Sequence, residues 1–190
     1  MLRRTLTLTA ATMALATTAF ADSHTGGGMA GDAGAMSGDP VKPQAIARMA
    51  GPDGSDMGVV QIWETPNGLL LHAELIGLEE GVHGFHVHET GTCEGDFSSA
   101  GDHYDTAGNA HGMMNPDGPH AGDNPNVFAD SGGFVSADVF NDRLSLMDGD
   151  APVMDDDGSA IIIHAMGDSY QAEAGAGGRA ACGVIEAVES

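Results

Sequence analysis

Val59-Val60-Gln61-Ile62-Trp63-Glu64-Thr65-Pro66-Asn67-Gly68-Leu69-Leu70-Leu71-His72-Ala73-Glu74-Leu75-Ile76 decides the fold. Two apolar runs, residues 59–64 and 69–76, flank Thr65-Pro66-Asn67-Gly68, and the Asn-Gly pair is expected to supply the positive φ angles of a tight hairpin turn. In the second run Leu69, Leu71, Ala73 and Leu75 share one face and leave His72 and Glu74 on the other. His72 is therefore expected to face solvent and to ligate nothing. Working outward, runs at 44–50, 83–89, 125–129, 134–140, 160–165 and 180–187 lie between turn signals, with no sustained 3.6-residue period. Eight short strands predict an all-β domain, either a sandwich or a Greek-key barrel.

The chain has 190 residues, 29 of them Gly, which suits one ordinary domain. Its 6 Lys plus Arg stand against 28 Asp plus Glu, a net charge of -22. Nucleic acid and anionic membranes would be repelled by such a surface, so neither is an expected partner.

Residues 1–21 read as a secretory signal: Arg3 and Arg4, an apolar stretch at 6–16, then Ala19-Phe20-Ala21 as a small-x-small cleavage site. Cleavage there leaves Lys42, Arg48, Arg143 and Arg179 against 28 acids, hence -24. No later segment is long and apolar enough to span a bilayer. Residues 22–42 are rich in Gly, Ala, Met, Ser and Asp and read as a flexible arm. Its His24, Met29 and Met36 carry donors that suit copper, though a plain linker is the simpler reading. The globular domain is then 43–190. An oxidising compartment would let Cys93 and Cys182 pair, and buried free thiols are the alternative.

Residues 90–124 break the strand rhythm with a run of Gly, Asp, His and Pro, and a loop of that length in a small domain is usually functional. His86 and His88 stand two apart on a predicted strand, so both rings project to one side. His103, His111, His120 and Asp123 follow in the loop, and His164 closes a later strand. Each pattern alone is cheap. Together they form a set of borderline donors that suits copper and zinc better than calcium or magnesium.

These residues also carry a resemblance. Gly84-Phe85-His86-Val87-His88-Glu89, Ser99-Ala100-Gly101-Asp102-His103, His111-Gly112, His120-Ala121-Gly122-Asp123, His164 and Gly178-Arg179-Ala180-Ala181-Cys182-Gly183-Val184-Ile185 resemble the secreted bacterial copper-zinc superoxide dismutases over about residues 44–187. The resemblance implies an eight-stranded Greek-key β-barrel, immunoglobulin-like, with long metal-binding and electrostatic loops. It implies copper on His86, His88, His103 and His164, and zinc on His103, His111, His120 and Asp123. Seven side chains supply eight bonds only if one imidazole, His103, uses both nitrogens. Asp168 matches the outer carboxylate that links a copper histidine to a zinc histidine. Arg179 matches the channel arginine that would hold an anionic substrate. His83 matches a structural position that bonds backbone and ligates nothing.

The activity implied is disproportionation of superoxide to dioxygen and hydrogen peroxide in the periplasm. Copper changes charge by one electron, and His103 would release it and carry a proton in each cycle. A monomer or homodimer is expected, and the loop before His103, of the bacterial type with Cys93 five residues after His88, argues against the eukaryotic dimer contact. The segment 169–178 contains Glu173 and no Lys, so attraction of substrate would rest on the metals and Arg179. A non-catalytic metal buffer or copper carrier on the same scaffold is the alternative, and Arg179 argues against it, since storage has no use for a substrate cation.

Overall fold

The computed structural model describes residues 41–189. The expected signal at 1–21 and the arm through residue 40, with His24, Met29 and Met36, lie outside the described residues.

The hairpin forms, with a shifted turn. β1 (Ala45–Ala50), β2 (Asp56–Thr65) and β3 (Gly68–Leu75) make an antiparallel meander in which Thr65 pairs with Gly68. The two-residue loop is thus Pro66-Asn67, and Asn67 does not adopt positive φ. Proline presets the φ of the first turn residue, which removes the need for Asn-Gly at the centre. Gly68, at φ 137°, opens β3, and a Cβ there would stand 2.2 Å from the Asn141 carbonyl oxygen. Its lack of a side chain lets a neighbouring strand approach.

The expected strand at 83–89 is two strands. β4 (Gly81–His83) pairs with β6 (Val127–Ala129) in a small second sheet, while β5 (Phe85–His88) joins the main one. Between them Gly84 donates to the Met166 carbonyl and accepts from the His164 N–H, both at 2.9 Å, so the chain changes partner at that residue. With β7 (Val135–Asn141), β8 (Ala160–His164) and β9 (Arg179–Ala187), the count among the described residues is nine strands where the sequence suggests eight. The main sheet runs β5-β8-β9-β1-β2-β3-β7, antiparallel throughout, and curls into a half-barrel.

Alternation sets the inside. Leu69, Leu71, Ala73 and Leu75 are buried with Val60, Ile62, Phe85, Val87, Ile161 and Ile163 in the main core. His72 points outward and meets Asp138 at 2.7 Å, as its strand position requires. A smaller apolar cluster of Phe97, Ala100, Ala160, Ile162 and Cys182 lies on the opposite face of β8 and β9. There the Cys93–Cys182 disulfide joins residues 89 apart in sequence. Chain-entropy reasoning assigns a loop of that length about 4–5 kcal/mol.

Candidate metal centre

His86 and His88 pair across the sheet with Ile162 and Ala160, so their rings lie on the face of the smaller cluster, outside the barrel core. β5 is the last strand of the main sheet, and its outer edge is closed by loop backbone. Val87 N–H donates to the Gly122 carbonyl at 3.0 Å, Tyr104 N–H to Val87 at 2.9 Å, and Glu89 N–H to Asp102 at 3.0 Å. Bridges His86 to Asp123 and His88 to His103 mark the same junction. Gly122 makes it possible, because a Cβ there would meet the Val87 carbonyl at 2.2 Å. The irregular stretch at 90–124 thereby places His103 and Asp123 beside the strand histidines.

Two groups result. One potential ligand atom from each of His86, His88, His103 and His164 lies within 4.8 Å of the others, and the same holds for His86, His103, His111 and Asp123. Asp123 Oδ1 accepts from His103 Nδ1 at 2.7 Å. His120 stands at the margin of the second group, its Nδ1 3.7 Å from Asp123 Oδ1 and its ring 5.8 Å from that of His111. Asp168 Oδ2 lies 2.9 Å from His111 Nε2 and 2.8 Å from His86 Nε2, the latter contact out of line with the ring N–H. Six of the seven donors singled out in the sequence fall in these two groups, His120 stands beside them, and Asp168 lies between His86 and His111.

Hydrogen bonds fix which nitrogen faces inward. His88 Nδ1 donates to the Gly101 carbonyl at 2.9 Å, leaving the Nε2 lone pair toward the cluster. His83 has Nδ1 2.7 Å from the His164 carbonyl and Nε2 2.8 Å from the Glu79 carbonyl, so its ring ties backbone and points no free nitrogen at the cluster. Burial, with repulsion from His103, holds His88 down to about 2, and burial with repulsion from His86 holds His164 down to about 3. Burial also lowers His86, against an upward pull from Asp168. These rings are neutral at physiological pH and present lone pairs. Burial works to raise Asp123, but the His103 hydrogen bond, the Gly112 N–H and the charges of His103 and His111 together hold it well below the usual carboxylate range. Asp168 is lowered in the same way, its burial outweighed by His86 and the Tyr170 N–H.

The residues fit metal ions. Nδ1 of His86, both ring nitrogens of His164, Nε2 of His88 and Nδ1 of His120 are buried with no hydrogen-bond partner, and His86 Nε2 has only its out-of-line contact with Asp168. Each such atom costs about 1–3 kcal/mol unless something takes its lone pair or proton. Imidazole nitrogens with one carboxylate are the donor set that copper and zinc prefer.

Two supporting residues, Asn126 and Tyr170, carry no pattern in the sequence. Asn126 exchanges two hydrogen bonds with the Asp168 backbone, from its Nδ2 to the carbonyl at 2.9 Å and to its Oδ1 from the N–H at 2.8 Å. Tyr170 N–H donates to Asp168 Oδ1 at 2.6 Å, and its hydroxyl accepts from Asn126 N–H at 2.8 Å. Arg179 is the cross-strand partner of His164 and donates from Nη1 to the Phe97 carbonyl and from Nη2 to the Gly101 carbonyl, the latter at 2.6 Å. It borders a shallow opening with Asp96, Ser98, Gly177 and Gly178.

A curled antiparallel sheet carrying two overlapping donor groups on one outer face defines a β-barrel metalloprotein built for two neighbouring ions. Residues 57–185 match the family model for copper/zinc superoxide dismutase. Over 148 residues, 75% of this chain and 85% of the relative, the sequence is 43% identical to a superoxide dismutase [Cu-Zn] of Caulobacter vibrioides. Among solved structures it is similar to a SOD-like protein from Bacillus subtilis, with TM-score 0.70 and 32% identity over 73% of this chain and 96% of that one. It is also similar to the Cu/Zn superoxide dismutase of Brucella abortus, with TM-score 0.60 and 34% identity over 75% and 99%. The chain belongs to the copper/zinc superoxide dismutase family. Its activity is the disproportionation of superoxide, with copper and zinc as cofactors.

Proposed function

We propose that copper is held by His86, His88, His103 and His164, zinc by His103, His111, His120 and Asp123, and that His103 is the shared ligand. The observation that carries this is the orientation of two rings. Geometrically both His86 and His103 belong to both groups. Asp168 Oδ2 occupies the Nε2 side of His86, leaving Nδ1 for one ion. His103 directs Nδ1 at Asp123 and keeps Nε2 for the other group, its ring 4.1 Å from that of His86 and 4.8 Å from that of His88.

When bound, copper would supply one-electron chemistry, and zinc, which has none, would be held on the other side of His103. Two superoxide ions and two protons give one dioxygen and one hydrogen peroxide. His103 Nε2 holds one of those protons in turn, and solvent delivers the other. Asp168, spanning His86 and His111, keeps both rings in register. Arg179, a permanent cation pinned by two carbonyls beside His164, draws the anionic substrate to that side. In a chain of net charge -22 it is one of few attractive charges.

We also assign the protein to the periplasm, in line with residues 1–21 and the disulfide, and read 22–42 as an arm ahead of the domain 43–190. Superoxide is the partner in either a monomer or a homodimer, and no helix among the described residues is long and apolar enough to cross a membrane.

The test is Arg179→Ala in fully metallated protein. The dismutation rate constant is expected to fall roughly tenfold or more at low ionic strength, with copper content unchanged and a weaker salt dependence. An unaltered rate would remove the role given to Arg179. His103→Ala should lower copper and zinc affinity together, and loss of zinc alone would refute the shared ring.

A further inference from the structure

We infer that Arg143 is a positioning residue for the zinc-side carboxylate, gripping Asp123 from behind through its main chain. The inference rests on the reading of Asp123 as a zinc ligand.

Both carboxylate oxygens of Asp123 are directed: Oδ1 at His103 Nδ1, and Oδ2 at the N–H groups of Gly112, 2.9 Å away, and His120, 3.1 Å away. Those contacts aim the carboxylate but do not anchor the backbone that carries it. The β5 junction holds Gly122, and Asp123 N–H donates to the His120 carbonyl at 3.2 Å; a further anchor, on the Asp123 carbonyl, comes from the end of β7. Arg143 Nη2 donates to the Asp123 carbonyl at 2.6 Å. Its own N–H donates to Asn141 Oδ1 at 2.8 Å. Asn141 Nδ2 in turn donates to the Ala121 carbonyl at 2.9 Å and to Asn124 Oδ1 at 2.8 Å. Residues 121, 123 and 124 are therefore held by one strand terminus, with Asp123, Asn124 and Asn141 each 1% exposed.

The use of charge makes the assignment specific. Arg143 is one of four cations beyond residue 21, in a chain with 28 acidic residues. Its one ion pair among the described residues is with neighbouring Asp142 at 3.3 Å, while the shorter bond goes to a main-chain oxygen in the metal loop. A guanidinium donates to that oxygen with fixed direction, which a hydrated ammonium on a flexible stem does less well. A carboxylate ligand whose backbone is fixed keeps its oxygen where zinc needs it, and outer groups of this kind commonly change metal affinity 10–100-fold.

The experiment titrates zinc alone into the chelator-stripped full chain, against a competing chelator, for the parent, Arg143→Ala, Arg143→Lys and Asp123→Ala. Arg143→Ala is expected to weaken zinc roughly 10–100-fold. Arg143→Lys should recover part of the loss, because its stem and charge remain. Copper affinity should fall less than zinc affinity, since the grip touches the copper group only through His103 and not through His86, His88 or His164. Cobalt substitution gives a second readout, in which the visible d–d bands of Arg143→Ala should shift in energy or intensity relative to the parent. Arg143→Ala binding zinc within about twofold of the parent, with parent-like cobalt bands, would overturn the proposal. So would equal losses of zinc and copper, which mark general damage to the fold. Asp123→Ala separates the two levels: if it leaves zinc affinity intact, the ligand reading itself fails, whatever Arg143 does.

Discussion

The two faces of β5 and β8 are built on opposite terms. Inward, Phe85, Val87, Ile161 and Ile163 bury apolar surface and leave nothing unpaired. Outward, His86, His88 and His164 bury ring nitrogens with no hydrogen-bond partners, a few ångströms from the same backbone. The first face is a source of stability whatever is bound; on the second, Ala160 and Ile162 add apolar burial, and the histidines contribute only when ions take their lone pairs. One sheet thus carries a region that folds the chain and a region that the folded chain must hold open.

Metal removal should break that comparison hardest. Stripping both ions with a chelator is expected to lower unfolding free energy by about 4 kcal/mol for each ion present at a thousandfold its Kd, read as the shift in denaturant midpoint. A stripped protein as stable as the loaded one would show that the histidine face contributes nothing on binding.

Next in size, Leu71→Ala on the inner face should cost about 2–5 kcal/mol, and equally in stripped and loaded protein, because the site does not rest on that side chain. A cost that differed between the two forms would couple the faces.

Acid should sharpen the contrast in the stripped form. His88 and His164, with folded values of about 2 and 3, take up protons in the unfolded chain first. Stability must then fall as pH drops below about 6.5, by about 1–2 kcal/mol per histidine between pH 7 and pH 5. His86, lowered in the same direction, adds to the loss. Asp123 and Asp168, also lowered, extend it below the ordinary carboxylate range. Chemical denaturation at several pH values measures this, and a flat profile would contradict the burial of these rings as neutral groups.

The smallest expected effect lies near zero. His88→Leu should change the stability of stripped protein by less than about 1 kcal/mol, because it removes a buried nitrogen without a partner together with the Nδ1 bond to the Gly101 carbonyl, which keeps its bond from Arg179. The same change should abolish tight copper binding.

The contrast also explains what the sequence made legible. Alternation at residues 69–75 displayed the inner face because apolar burial writes a period-two pattern. Six of the nine histidines, with Asp123, fall in dispersed motifs whose order and spacing mark the site. The hairpin was read one residue off because Gly68 is explained by Asn141, a neighbour in space with no signature nearby. The run at 83–89 looked continuous because the partner change at Gly84 depends on His164 and Met166, about 80 residues on. Asn126, Asn141, Arg143 and Tyr170 were invisible for the same reason. Each acts through one or two bonds to main chain, and no spacing announces that.

The junction between loop and β5 has a consequence for misassembly. Gly122, Tyr104 and Asp102 fill the hydrogen-bonding groups along the last strand of the sheet, so the segment that delivers ligands also serves as the strand's lid. A bared edge is a template for pairing with another chain. Peeling of this segment would therefore cost the protein its site and its solubility in one event, and ions that hold the segment down would guard against fibrous or amorphous deposits.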